Sequence, residues 1–122
     1  MFDIELAREI LSQILTAANR VEKRSAGMNK PDDFLGSEES LDKLDAICMM
    51  LIAIGENLKN LDKITGGTLL PQYPEVDWKG AKGMRDIISH HYFDLNAEVV
   101  FTICKERIPG LVTTIKRMKD NL

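Results

Sequence analysis

The stretch "LDKLDAICMMLIAIGENLKNL", Leu41 to Leu61, decides the fold. Leu41, Leu44, Ile47, Cys48, Leu51, Ile54, Leu58 and Leu61 recur at three- and four-residue intervals, the spacing of one helix face. Met49, Met50 and Ile52 make the middle of that helix apolar all round. A helix of this kind is buried on more than one side, by its own bundle or by a second subunit. Ser37 or Ser40 is placed to cap its start.

The flanking segments read the same way. Towards the N-terminus, Phe2 to about Arg24 carries a stripe of Leu6, Ile10, Ile14, Ala17 or Ala18, and Val21, with Gly27 as its stop. "MNKPDDFLGS", Met28 to Ser37, reads as a polar loop. Towards the C-terminus, Gly66-Gly67 and the segment from Pro71 to Pro74 break the pattern. Only Tyr73 to Val76 has any strand-like character. A third helix starts near Asp77 or Trp78 and runs to about Tyr92. Asn96 then caps a fourth, with Val99, Val100, Ile103, Cys104, Ile108, Leu111, Val112, Ile115 and Met118 inward. Pro109 lies inside that last pattern, removes one hydrogen bond and should kink it. The expected fold is all-α: an antiparallel up-down bundle of four main helices, with residues 1–122 as a single domain.

Composition narrows the function classes. Of 122 residues, 44% are hydrophobic and 29% charged, which suits a packed globular chain and not a disordered one. The longest apolar run, Ala46 to Ile54, falls well short of the roughly 20 residues that cross a bilayer. The N-terminus, MFDIELARE, is acidic and amphipathic, unlike a signal peptide, so a cytoplasmic location without membrane association is expected. Cys48 and Cys104 are isolated within apolar patterns and read as reduced core residues. No His, Cys and carboxylate cluster stands at ligand spacing, so no metal site and no cofactor are expected. The net charge of −3 gives no general attraction to nucleic acid, and an RNA contact would need a local patch. Arg20, Lys23 and Arg24, and Lys116, Arg117 and Lys119, are the two basic clusters; both suit helix ends, where cations meet the negative end of the dipole.

The remaining special residues crowd into "GMRDIISHHYFD", Gly83 to Asp94, which holds both histidines of the chain, His90 and His91. On a helix Trp78, Ala81, Met84, Ile88 and His91 share an apolar side, while Asp86 and His90 are i, i+4 neighbours. Cutting RNA without a metal needs a base for the 2′-OH, an acid for the leaving 5′-oxygen and a fixed cation at the phosphate. Histidine titrates near neutrality, and arginine stays charged and grips phosphate in a fork. An aspartate bonded to the imidazole would fix its tautomer. Arg85, Asp86 and His90 supply those parts. Arg85 and His90 are five residues apart, about 140° round an ideal helix. They converge only if the helix loosens, the arginine reaches round, or a second subunit completes the site. The alternative is a surface Asp86–His90 pair, a part-buried His91 and a Tyr92 that packs with its hydroxyl at the rim.

"RDIISHHY", Arg85 to Tyr92, resembles the Arg-x-x-x-x-His-x-Tyr signature of the HEPN-domain ribonuclease toxins of the HepT type. "IGENL" (Ile54 to Leu58), "PEVDWKGAKGMRD" (Pro74 to Asp86) and "IPGL" (Ile108 to Leu111) resemble that family in the same order, so the likeness spans nearly the whole chain. The resemblance implies a homodimeric HEPN-like bundle with two signature segments facing one cleft. It implies metal-independent endonuclease cleavage of an RNA substrate, with Arg85 and His90 catalytic and Asp86 supporting. It further implies a toxin-antitoxin pair, in which a minimal nucleotidyltransferase antitoxin transfers AMP to Tyr92. Added bulk and negative charge there would keep an RNA phosphate from Arg85. Glu56 matches a recurrent position and reads as a buried carboxylate paired with a cation of the first or third helix. The competing expectation is a non-catalytic HEPN module that binds a nucleotidyltransferase, or a plain dimerising bundle.

Overall fold

The computed structural model describes residues 2–90 and 96–122, with His90 described through its backbone alone. The described residues form helices joined by loops, without a strand. The elements are α1 (Ile4–Ser25), α2 (Glu38–Ile64), α3 (Trp78–His90), α4 (Ala97–Thr102), a π-helical turn (Ile103–Arg107) and α5 (Ile108–Asn121). The last three follow without interruption and together form the expected fourth helix. The segment at Tyr73 to Val76 is irregular, not a strand.

The caps follow local chemistry. Asp3 accepts from the Leu6 N–H at 3.1 Å, Ser37 from the Ser40 N–H at 3.1 Å, and Asn96 from the Glu98 N–H at 2.8 Å. Ser37, not Ser40, is therefore the cap of α2. Asp77 accepts from the Gly80 N–H at 3.1 Å and so caps α3. Helix α1 stops at Ser25, whose hydroxyl donates to the Val21 carbonyl at 2.8 Å. Gly27 does not supply a left-handed stop; positive φ among the described residues belongs to Gly66 and Gly67, which turn the chain after α2.

The core joins α1 to α2 and α5, and α2 to α3. Ile10, Leu11, Ile14 and Val21 of α1, Ile47, Leu51, Ile54 and Leu58 of α2, and Ile108, Leu111, Ile115 and Met118 of α5 belong to one buried cluster. Two expected inward residues face out. Leu6 is exposed while Ala7 is fully buried, so the α1 stripe is rotated by one residue at its start; Val99 is exposed while Val100 is buried. Either neighbour satisfies the periodicity, and packing selected the one nearer the axis of the bundle.

The loops carry more of the core than their polarity suggests. In "MNKPDDFLGS" Met28 is buried and Phe34, on a 3₁₀ turn (Pro31–Phe34), has no exposed surface. Phe34 meets Phe101 edge to face, with ring centres 6.5 Å apart. In the second connection Leu69, Leu70 and Tyr73 are buried. The Trp78 indole donates to the Tyr73 carbonyl at 2.8 Å, and Asn121 donates to the Tyr73 hydroxyl at 3.1 Å. Arg117 lies over the Tyr73 ring and pairs with Glu75 at 2.8 Å, so this basic residue is used structurally. These contacts tie the start of α3 to the end of α5.

Pro109 has the expected effect in a particular form. It lacks the N–H that would meet the Lys105 carbonyl, and its ring would crowd that carbonyl. The chain widens into the π turn just before it, where the Ile108 N–H reaches back five residues to the Ile103 carbonyl. The Lys105 ammonium donates to the Ser25 carbonyl at 2.7 Å and anchors the turn on the end of α1. No described helix is long and apolar enough to cross a membrane.

Candidate active site

The site grows from the close contact of α2 and α3. Asp62 meets Lys82, and Gly55 meets Arg85. At Gly55 the backbone of α2 packs directly against α3. A Cβ at that position would lie 3.0 Å from the Arg85 nitrogen and 3.2 Å from the Lys82 carbonyl oxygen. The missing side chain lets the backbone of α3 settle on α2 and fixes where Arg85 begins.

Around that contact four charged side chains alternate in sign. The Nε of Arg85 is 3.3 Å from Oε2 of Glu56. Its Nη1 donates to Oδ1 of Asp86 at 3.0 Å. The other carboxylate oxygen of Asp86 accepts from Lys59 Nζ at 3.4 Å. Glu56 and Lys59 stand three residues apart on α2, and Arg85 and Asp86 are adjacent on α3, so one turn of α2 grips two neighbours across the interface. All four are accessible: Arg85 is 42% exposed and Asp86 52%. The Arg85 hydrogen bond first, and the Lys59 ammonium second, hold the Asp86 carboxyl below the usual carboxylate range.

Among the expected site residues, the structure brings Arg85 and Asp86 together directly. Glu56 joins them and takes the third-helix cation of the two partners considered for it; it is 53% exposed, not buried. Asp86 was expected to serve His90; its two oxygens are engaged by Arg85 and Lys59. The His90 side chain, His91 and Tyr92 lie outside the described residues, and so do the Asp86–His90 pairing and the meeting of Arg85 with His90. Lys59 was missed. Its link to Asp86 spans 27 residues of sequence. The one local signal was its place one turn after Glu56.

A groove of about 640 Å³ runs on the other side of α3, between Val76, Ala81, Met84 and Ile87 and the π turn with the start of α5. Among the described residues no group of three or more His, Cys, Asp or Glu is placed to hold a metal ion.

A family model described as "Ribonuclease HepT-like" matches residues 14–118. "Putative RNase MJ0127" of Methanocaldococcus jannaschii is 32% identical over 87 residues, covering 71% of this chain and 66% of its own. "Putative RNase TTE0752" of Caldanaerobacter subterraneus subsp. tengcongensis is 33% identical over 73 residues, 60% of this chain and 62% of its own. "Probable ribonuclease HepT" of Thermococcus cleftensis is 30% identical over 74 residues, 61% of this chain and 64% of its own. The chain thus spans just under two thirds of the length of these relatives. No solved structure matches significantly.

Proposed function

Since the chain belongs to the ribonuclease HepT-like family, we propose that it is a metal-independent RNA endonuclease, the toxin of a pair whose antitoxin is a minimal nucleotidyltransferase that transfers AMP to Tyr92. Arg85 carries the reading. It is a half-exposed guanidinium fixed in place by carboxylates on two helices, next to an accessible surface. A cation of that kind suits a phosphodiester on which charge develops.

In this reading His90 takes the 2′-OH proton, and the 2′-oxygen attacks the neighbouring phosphorus. The bond to the 5′-oxygen breaks as that oxygen takes the proton back from the His90 imidazolium, leaving a 2′,3′-cyclic phosphate on one fragment and a 5′-hydroxyl on the other. Arg85 stabilises the charge that builds on the phosphate oxygens. Asp86 supports by holding Arg85.

The antiparallel arrangement of the whole bundle, its homodimer and the cytoplasmic location belong to the same proposal. The dimer is supported by the middle of α2: Met49 is 62% exposed, so the chain alone does not cover the all-round apolar segment.

The test uses purified, unmodified protein and RNA in the presence of a chelator. Cleavage that Arg85→Ala and His90→Ala each abolish, with the helical content intact, supports the nuclease. Tight binding to a nucleotidyltransferase without any cleavage would replace it with the non-catalytic module. Intact-mass measurement after co-expression with a minimal nucleotidyltransferase should show added AMP, absent from Tyr92→Phe.

A further inference from the structure

Two of the three charges around Arg85 come from α2, and one of them has no role in the proposed chemistry. Lys59 reaches across the helix interface to Asp86, and Asp86 spends its other oxygen on Nη1 of Arg85. Glu56, one turn before Lys59, meets Nε of the same guanidinium. Arg85 is therefore held at two of its nitrogens, and one of those holds depends on Lys59 keeping Asp86 turned.

We propose that Lys59 is a positioning residue, acting through Asp86 to fix the plane of the Arg85 guanidinium. The inference rests on the proposed nuclease reading for its consequence in catalysis, but not for the geometry itself.

Three physical points lead there. Half-exposed ion pairs add little to stability, so the Lys59–Asp86 pair is poorly explained as a fastener of helices; the Gly55 contact and the buried core already do that. An arginine side chain that is free to turn must be ordered when phosphate binds, whereas a held fork is ordered beforehand. An Asp86 without its lysine could also swing across Arg85 and compete with a substrate phosphate for it. Lysine at 59 offsets that charge and holds the carboxylate to one side.

The experiment compares wild type, Lys59→Met and Lys59→Arg. Arginine side-chain nitrogen signals are followed by NMR in the protein alone, with Arg85→Lys identifying the signal of Arg85. Wild type should show restricted rotation, with the two terminal nitrogens of Arg85 resolved. Lys59→Met should merge them, and Lys59→Arg should restore them. On RNA, Lys59→Met should lower kcat roughly ten-fold, as expected for a misplaced catalytic group, with recovery in Lys59→Arg. Unchanged Arg85 signals in Lys59→Met overturn the proposal. So does a higher KM with unchanged kcat and a shallower salt dependence, which would make Lys59 a direct phosphate contact. If wild type cuts no RNA, the nuclease reading fails, and the NMR comparison still decides whether Lys59 orients Arg85.

Discussion

Gly55 and Arg85 meet backbone to backbone: a Cβ on the glycine would stand 3.1 Å from the Arg85 Cβ and 3.0 Å from its nitrogen. The cation proposed to meet the phosphate is thus seated by the absence of an atom on the neighbouring helix. Neither neighbour can move aside cheaply, because the nitrogen belongs to the backbone of α3 and the Cβ is bonded directly to it.

Gly55→Ala sets two effects against each other. Alanine gains about 1 kcal/mol in helix propensity over glycine. The overpacked contact costs about 1–3 kcal/mol. The expected result is net destabilisation, read as a lower urea midpoint with unchanged slope, together with weaker RNA cleavage because Arg85 is displaced. A midpoint higher than wild type would show that α2 and α3 have room to spare.

Asp86 predicts an acid dependence of defined sign. Its carboxyl is depressed by Arg85 and then Lys59. A depressed carboxylate contributes stability above its ordinary range, about pH 3.9, and loses it as pH falls through the lower folded value. Asp86→Asn should therefore melt slightly below wild type near neutral pH, with the difference closing in strong acid. Paired thermal melts between pH 7 and pH 2 check this; a gap that widens on acidification contradicts the quartet.

Phe34 anchors the first loop to the bundle. It is fully buried and packs edge to face on Phe101. Phe34→Ala should cost about 3–5 kcal/mol, the usual range for emptying a buried aromatic site. Chemical denaturation measures it directly, and a cost below 1 kcal/mol would mean that the loop is not part of the core.

The two thiols should be inert in the native state. Burial pushes both Cys48 and Cys104 up to about 11, and each is nearly inaccessible. At pH 8 only about one thiol in a thousand would be ionised. Alkylation by iodoacetamide should then track global unfolding, with equal rates at both positions. Fast labelling of one cysteine in native buffer would reveal a local opening at that helix.

Much of this was legible along the chain. The stripe of α2, its cap to within Ser37 or Ser40, the cap at Asn96, the turn at Gly66-Gly67 and the disturbance at Pro109 each depend on neighbours within one or two helical turns. The membership of the family was legible as well, from the Arg85-to-Tyr92 signature and the motifs around it. Loop hydrophobes were not: Phe34 and Leu70 sit among turn-forming residues, and local polarity hides that a distant helix covers them. Nor could periodicity choose between Leu6 and Ala7, or between Val99 and Val100, since both members of each pair lie near the same face.

The sequence alone determined that these are amphipathic helices and that arginine, aspartate and histidine gather on the third. The tertiary structure alone decided what the arginine leans on. Helical repeat fixes the angle between residues of one helix, but which turn of another helix lies opposite depends on packing. Here a glycine lets α3 approach so closely that Glu56 and Lys59 reach Arg85 and Asp86, groups that lie 27 or more residues further along the chain.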